Sequence, residues 1–356
     1  MAFTFDRMQI NQHLSHDSVR TYYGETLASS ADLKTSACCS LEDLSPRYRE
    51  TLALLEDEVT DRFYGCGSPI PPALDGCTVL DLGCGTGRDA FVAARLAGPT
   101  GHVIGVDMTE EQLAVARRHE RVHAERFGFE APNTSFRLAL IEDLRSAGVE
   151  DGSVDVAISN CVVNLSPDKR RVLAEVHRVL RSGGEFYFSD VFVDRRLPAE
   201  FAHDPILLGE CLGGALYTED FRRIMAEIGF QDVRVVTERP ITIDDPAIAA
   251  RVGNSSFISR TVRAFKLDSL EDRCEDYGQV AWYLGGIQDA PHQFELDDHH
   301  VFEAGRPMLV CGNTASMLQE TRFAPNFRID GDRSTHFGQF ECASADTAGS
   351  SPAGCC

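Results

Sequence analysis

The stretch Val79-Leu-Asp-Leu-Gly-Cys-Gly-Thr-Gly87, followed by helix-forming residues 89–96, decides the fold. Its first four residues predict a buried strand, and its glycines leave the backbone open to a ligand. The spacing is G-x-G-x-G, whereas the dinucleotide-binding fingerprint needs its third glycine one place later. Asp81 lies on the strand just before the loop, where a positively charged ligand would meet a carboxylate. Asp107 ends the next strand and is placed to accept hydrogen bonds from ribose hydroxyls.

Strand and helix patterns alternate along the chain around this loop. Such alternation favours a parallel sheet with helices on both faces. A capped apolar stripe over residues 45–63 predicts one helix ahead of the sheet. Residues 192–217 interrupt the alternation as a long insertion. The remaining strands are predicted at residues 102–106, 135–140, 154–159, 185–191 and 233–236.

The composition limits the classes of molecule that this protein is expected to bind. The 356 residues predict more than one structural unit, and 34 Lys and Arg against 55 Asp and Glu give a net charge of −21. So acidic a surface repels phosphate backbones and anionic lipids, so we expect neither nucleic acid nor membranes as partners. No apolar run reaches the roughly 18–20 residues of a spanning helix, and Asp6 and Arg7 interrupt any signal peptide. A cytoplasmic location is predicted.

The chain contains 12 cysteines but no C-x-x-C pair and no zinc-finger spacing. In a reducing compartment most are expected to be small buried residues rather than a disulfide framework. Cys161 follows the fourth strand, Cys211 lies in the insertion after the fifth, and Cys66 lies in the loop before the first. These three cysteines can converge on one crevice at the carboxyl edge of the sheet, where ligands bind in such folds. Three thiolates select a soft, thiophilic centre, and trivalent arsenic fits.

With the glycine loop, these cysteine-bearing stretches resemble the arsenite methyltransferases, which use S-adenosylmethionine. The resemblance covers about residues 30 to 330 and is carried by residues 32–38, 62–67, 101–109, 159–169, 184–191 and 209–217. It implies an α/β fold of the class I methyltransferase, Rossmann-like type, with a substrate-binding insertion and a small C-terminal α+β domain. Four units are implied: a helical segment (1–60) with a relay cysteine, the cofactor domain (61–268) with the arsenic-binding insertion (192–217), the C-terminal domain (269–335), and a disordered tail (336–356) ending in Cys355-Cys356.

The resemblance also implies residue roles. Cys161 and Cys211 hold trivalent arsenic throughout, and Cys66 is a third thiol that ligates arsenic or acts in redox relay. A transient disulfide is expected between Cys66 and Cys38, to be reduced by thioredoxin or glutathione, although the neighbouring Cys39 is an alternative relay thiol. Glu210 is placed to steer an incoming arsenical. The residues implied to bind the cofactor are Tyr64, Asp81, Gly83, Gly85, Asp107, Met108, Ile141, Glu142 and Asn160.

Three functions therefore compete. The first is methylation of arsenite or its thiol conjugates to mono- and dimethylated products, as a detoxification. The second keeps the methyl donor but transfers to an organic small molecule, which would leave Cys161 and Cys211 as packing residues. The third is a thiol-rich protein that binds or senses metalloids. The intact glycine loop and Asp81 argue against the third, because a pure binder has no need of a cofactor site.

Overall fold

The computed structural model describes residues 45–61 and 65–341. Its strands are β1 Thr78–Leu82, β2 His102–Asp107, β3 Thr134–Leu138, β4 Val154–Asn160, β5 Leu180–Val193, β6 Leu216–Tyr217, β7 Val233–Pro240, β8 Phe257–Phe265, β9 Glu275–Asp276, β10 Gln279–Tyr283, β11 Gln293–Glu295, β12 Val301–Glu303, β13 Pro307–Val310, β14 Phe327–Asp330 and β15 Gly338–Gln339. Its α-helices are α1 Pro46–Leu52, α2 Asp57–Thr60, α3 Arg88–Ala97, α4 Glu110–Phe127, α5 Lys169–Val179, α6 Pro205–Gly209, α7 Thr218–Ile228, α8 Pro246–Val252 and α9 Gly312–Gln319. None of these helices is both long and apolar enough to cross a bilayer.

The first eight strands form one mixed sheet in the order β3-β2-β1-β4-β5-β8-β7, and β6 pairs with the end of β5. Strands β1 to β5 pair with one another in parallel, as the alternation predicts. The prediction of an entirely parallel sheet is wrong at the other edge, where β8 runs antiparallel to both β5 and β7. Strand β8 was not predicted, because charged Arg260 and Arg263 interrupt its apolar pattern. Arg263 is nevertheless buried, paired with Glu185 of β5.

The N-terminal region also differs from its prediction. Residues 45–63 were expected to form one helix, but the described part forms α1 and α2, separated by a turn. Ser45 caps α1 as expected, by accepting a hydrogen bond from the backbone N–H of Tyr48. The helix ends after Leu52, because the backbone N–H groups of Leu54 and Leu55 bond three residues back rather than four. The Glu56 N–H then donates to His123 of α4, which fixes the start of α2.

The C-terminal region is a small α+β unit, as expected. Strand β10 pairs with β13 and β14, β11 pairs with β12, and α9 packs beside them. Their apolar side chains form a separate core that includes Tyr283, Phe294 and Phe302. The start of the predicted disordered tail is corrected, because β15 at Gly338–Gln339 pairs with β9. Residues 342–356, with Cys355 and Cys356, lie outside the described part.

Candidate active site

A cavity lies at the carboxyl ends of β1, β2 and β4, where parallel α/β sheets place their ligands. Tyr64 lies outside the described residues. The other side chains and glycines expected at the cofactor all line this cavity: Asp81, Gly83, Gly85, Asp107, Met108, Ile141, Glu142 and Asn160. Cys161 lines it too, so a predicted arsenic ligand borders the cofactor cavity.

Two of the three glycines of the loop, Gly83 and Gly85, serve different purposes. Gly85 has a φ of 53°, and a Cβ there would meet nothing within 4 Å, so its backbone faces open space. A Cβ on Gly83 would lie 2.5 Å from the Val162 side chain, so this glycine is required for packing. Asp107 accepts hydrogen bonds from the backbone N–H groups of Gly85 (2.9 Å) and Thr109 (2.8 Å). It therefore holds the loop, and its remaining lone pairs can accept from a ligand.

The cavity carries unbalanced negative charge. Burial raises the pKa of Asp81 well above its usual range, and the neighbouring carboxylates of Asp89 and Asp107 raise it further. Among the described residues, Asp81 Oδ2 is buried with no hydrogen-bond partner. A cationic ligand would relieve this penalty, because an opposite charge favours the ionised carboxylate. S-Adenosylmethionine fits this site, since it carries an ammonium and a sulfonium group.

The three cysteines expected to bind arsenic are buried in one apolar cluster beside this cavity. Cys66 and Cys161 are joined by a disulfide, with their Cα atoms 5.9 Å apart. Cys66 is therefore bonded to Cys161 rather than to the expected Cys38, which lies with Cys39 outside the described residues. Cys211 takes no part in that bond. Glu210 is buried next to it.

The backbone at two of these cysteines is strained. Cys161 has a φ of 56° and Cys211 a φ of 58°, and Ala73 is the other non-glycine residue with positive φ in the described part. This left-handed conformation costs an L-residue roughly 1–2 kcal/mol, and it concentrates at functional sites. Nothing in the sequence indicated it, because cysteine has no preference for this region.

Asn160, expected only as a cofactor residue, also positions Cys66. Its Oδ1 accepts from the backbone N–H of Cys66 (3.0 Å) and Gly67 (3.3 Å), and its Nδ2 donates to the Gly67 carbonyl (2.9 Å). Nδ2 also donates to Asp89, which lines the cavity. Ser259 of β8 donates to the Cys66 carbonyl at 2.7 Å. One side chain thus joins the cofactor cavity to the loop that carries Cys66.

Asp190 is a site residue that the sequence analysis missed. One of its carboxylate oxygens lies within 4.8 Å of the sulfur atoms of Cys66 and Cys161, a group of three that does not include Cys211. Burial raises the pKa of Asp190 to about 7, against hydrogen bonds from Val191 and Asn164 that lower it. Its place at the end of β5, the strand beside β4, is the signal that could have found it.

Comparison with known proteins agrees with this geometry. A methyltransferase domain model matches residues 73–229, and an arsenite methyltransferase C-terminal domain model matches residues 276–352. An arsenite methyltransferase of Aquipseudomonas alcaligenes is 56% identical over 92% of this chain and 94% of its own length. The human arsenite methyltransferase is 42% identical over 87% of this chain and 82% of its own.

A solved structure shares the fold. The crystal structure of an arsenic(III) S-adenosylmethionine methyltransferase from Chlamydomonas reinhardtii matches with a TM-score of 0.81 and 52% identity, over 84% of this chain and all of that one. The likeness therefore extends through both the sheet and the C-terminal unit. On this identity and coverage, the chain belongs to the arsenite methyltransferase family.

Proposed function

We propose that this chain transfers the methyl group of S-adenosylmethionine to trivalent arsenic, supplied as arsenite or a thiol conjugate, and releases mono- and dimethylated products as a detoxification. One observation carries the proposal: Cys66, Cys161 and Cys211, distant in sequence, are buried in one cluster, and Cys161 borders the cofactor cavity. An organic acceptor would need no such gathering of thiols.

The donor cavity is assigned from its residues. Asp81 receives the positive charge of the donor, Asp107 its ribose, and Ile141 with Glu142 its adenine, while Gly83, Gly85, Met108 and Asn160 shape the walls. Tyr64, from the sequence resemblance, completes the site. Once bound, S-adenosylmethionine supplies an electrophilic methyl group on a sulfonium centre. Arsenic held by thiolates presents a lone pair and has no proton to lose, so the protein must position and exclude water rather than provide a base.

The thiols divide the remaining work. Cys161 and Cys211 hold arsenic in every round, and Cys66 is the third ligand for arsenite. Because Cys66 and Cys161 are bonded to each other, a thiol reductant must break that disulfide before arsenic binds. Methyl transfer formally oxidises arsenic from the trivalent to the pentavalent state. Two thiolates return the two electrons by forming a disulfide, for which we assign Cys66 and Cys38, and thioredoxin or glutathione reduces it.

The location and domain roles follow from the same chemistry. Thiols that must be reduced in each cycle need a reducing compartment, which supports a cytoplasmic location. Residues 1–60 supply the relay cysteine, residues 61–268 the donor site and, through 192–217, part of the arsenic site. Residues 269–335 form the C-terminal domain.

Serine variants test the assignment, with methyl-labelled donor and glutathione present. Cys161→Ser and Cys211→Ser should abolish transfer to both arsenite and monomethylated trivalent arsenic. Cys66→Ser and Cys38→Ser should impair transfer to arsenite and spare the monomethylated substrate. Cys274→Ser, at a buried cysteine of the C-terminal region, is the control and should retain both activities.

The outcomes separate the competing functions. Label in arsenic species supports arsenic methylation, and label confined to organic acceptors would favour the second function. Arsenite binding without any transfer of label would favour the third. Full activity in the Cys211 variant would contradict the ligand assignment.

A further inference from the structure

Arg322 connects the C-terminal region to the loop ahead of β1. Its Nε donates to the Ala73 carbonyl at 3.0 Å, and its Nη2 donates to the Pro72 carbonyl at 3.0 Å. Nη2 also lies 2.5 Å from Glu185 Oε2, and the Arg322 side chain is 8% exposed. One guanidinium thus binds two consecutive carbonyls and a buried carboxylate, a fork geometry that lysine cannot reproduce.

The segment that Arg322 holds is stiff. Residues 67–73 read Gly-Ser-Pro-Ile-Pro-Pro-Ala, and each proline has a fixed φ and no N–H to donate. At its far end, Ala73 is held in the left-handed region with a φ of 59°. A strained residue of this kind persists only where its surroundings impose it, and here the Arg322 contact is made at that residue. A displacement at Ala73 is therefore transmitted along the proline-rich segment instead of being absorbed.

The near end of this segment, Gly67, directly follows Cys66. The Cys66 backbone is seated against the sheet by Asn160 and Ser259, so a small shift of the segment would act on those contacts. The buried pair of Glu185 with Arg263 ties the Arg322 contact to β5 and β8 as well. Burial would raise the pKa of Glu185, but Arg263 and Arg322 hold it below its ordinary value, so the carboxylate stays ionised.

We infer that the C-terminal domain sets the position of the third arsenic ligand: Arg322 is a positioning residue that holds residues 67–73, and through them Cys66, in register with Cys161 and Cys211. The inference rests on the proposed function, because it assumes that these thiols bind arsenic. The inference predicts different effects on arsenite and on monomethylated arsenic. Trivalent arsenic forms three bonds, so arsenite can take three sulfurs, whereas monomethylated arsenic has two bonds left and needs only Cys161 and Cys211.

The test compares Arg322→Lys and Arg322→Met with Arg328→Lys, an exposed arginine of the same region, under glutathione. We expect kcat/KM for arsenite to fall about tenfold or more in both Arg322 variants, since a misplacement of about 1 Å can cost about 100-fold. Monomethylated trivalent arsenic should react within about twofold of the wild-type rate. X-ray absorption is measured on protein reduced with a phosphine and freed of glutathione, so that no added thiol binds arsenic. The sulfur coordination of bound arsenite should fall from three to two in the Arg322 variants, a change that loss of stability alone does not produce. Arg328→Lys should resemble the wild type.

Equal losses for both arsenic substrates, or unchanged three-sulfur coordination, would overturn the inference. If Arg322→Met does not fold, Arg322→Lys decides, because it keeps a positive charge beside Glu185. Cys66→Ser is measured in parallel. If that variant fails to discriminate between the substrates, the ligand assignment is wrong. If it discriminates and the Arg322 variants do not, only the positioning role is wrong.

Discussion

The left-handed backbone at Cys161 leads to a prediction about stability that is independent of catalysis. In most buried positions, alanine is more stable than glycine, because glycine loses more backbone entropy and lacks a methyl group to bury. At Cys161, with φ at 56°, the Cβ of alanine carries a steric cost that glycine does not. Cys274 is a matched control, since Cys161 and Cys274 are both 3% exposed and Cys274 does not have a positive φ.

The measurement is a double difference in the free energy of unfolding, glycine against alanine at each position and then one position against the other. Urea unfolding in excess reductant, which removes the Cys66–Cys161 disulfide, gives the free energies of unfolding of the alanine and glycine variants at both positions. Methyl burial and unfolded-state entropy cancel between positions, which leaves the left-handed penalty of about 1–2 kcal/mol. We expect glycine relative to alanine to be more favourable at 161 than at 274 by that amount. A double difference below about 0.5 kcal/mol would refute the claim that strain is stored at this residue.

Two further predictions concern charge. Burial lowers the pKa of His123 to about 4, and its Nε2 accepts a hydrogen bond from the Glu56 N–H. The neutral ring therefore stabilises the fold above pH 6.5, and this stability is lost as the pH falls toward 4. Between pH 6.5 and 5 the free energy of unfolding should fall by about 1–2 kcal/mol. Urea unfolding of His123→Phe should show a flatter dependence of this free energy on pH. An unchanged pH dependence would exclude this histidine as the cause. Without cofactor, Asp81→Asn should raise the melting temperature, because it removes a buried carboxyl group whose ionised form is disfavoured by burial. It should weaken S-adenosylmethionine binding about 10- to 100-fold by calorimetry. Unaltered affinity would show that Asp81 does not meet the cation.

Much of the donor site could be predicted from the sequence, because its signals are local. A strand followed by G-x-G-x-G and a helix can be recognised within one short stretch of sequence. The next strand in the strand–helix alternation ends at Asp107. Parallel pairing of the two strands then brings the glycine loop and Asp107 to one edge of the sheet, so the cavity lining agrees with the predicted residues. Strand β8 escaped prediction for the opposite reason: Arg263 looks polar in sequence, and only its partner Glu185, far away along the chain, makes it a core residue.

By itself, the sequence determined the sheet edge at which the donor site forms and the cysteines that gather there, since topology and residue type are sufficient for both. Only the tertiary structure decided which thiol bonds to which, that Cys161 and Cys211 have a left-handed backbone, that Asp190 stands beside the sulfurs, and that Arg322 reaches the loop before β1. These features depend on contacts between segments far apart in the chain, whose energies are set by distance and burial rather than by any pattern within one segment.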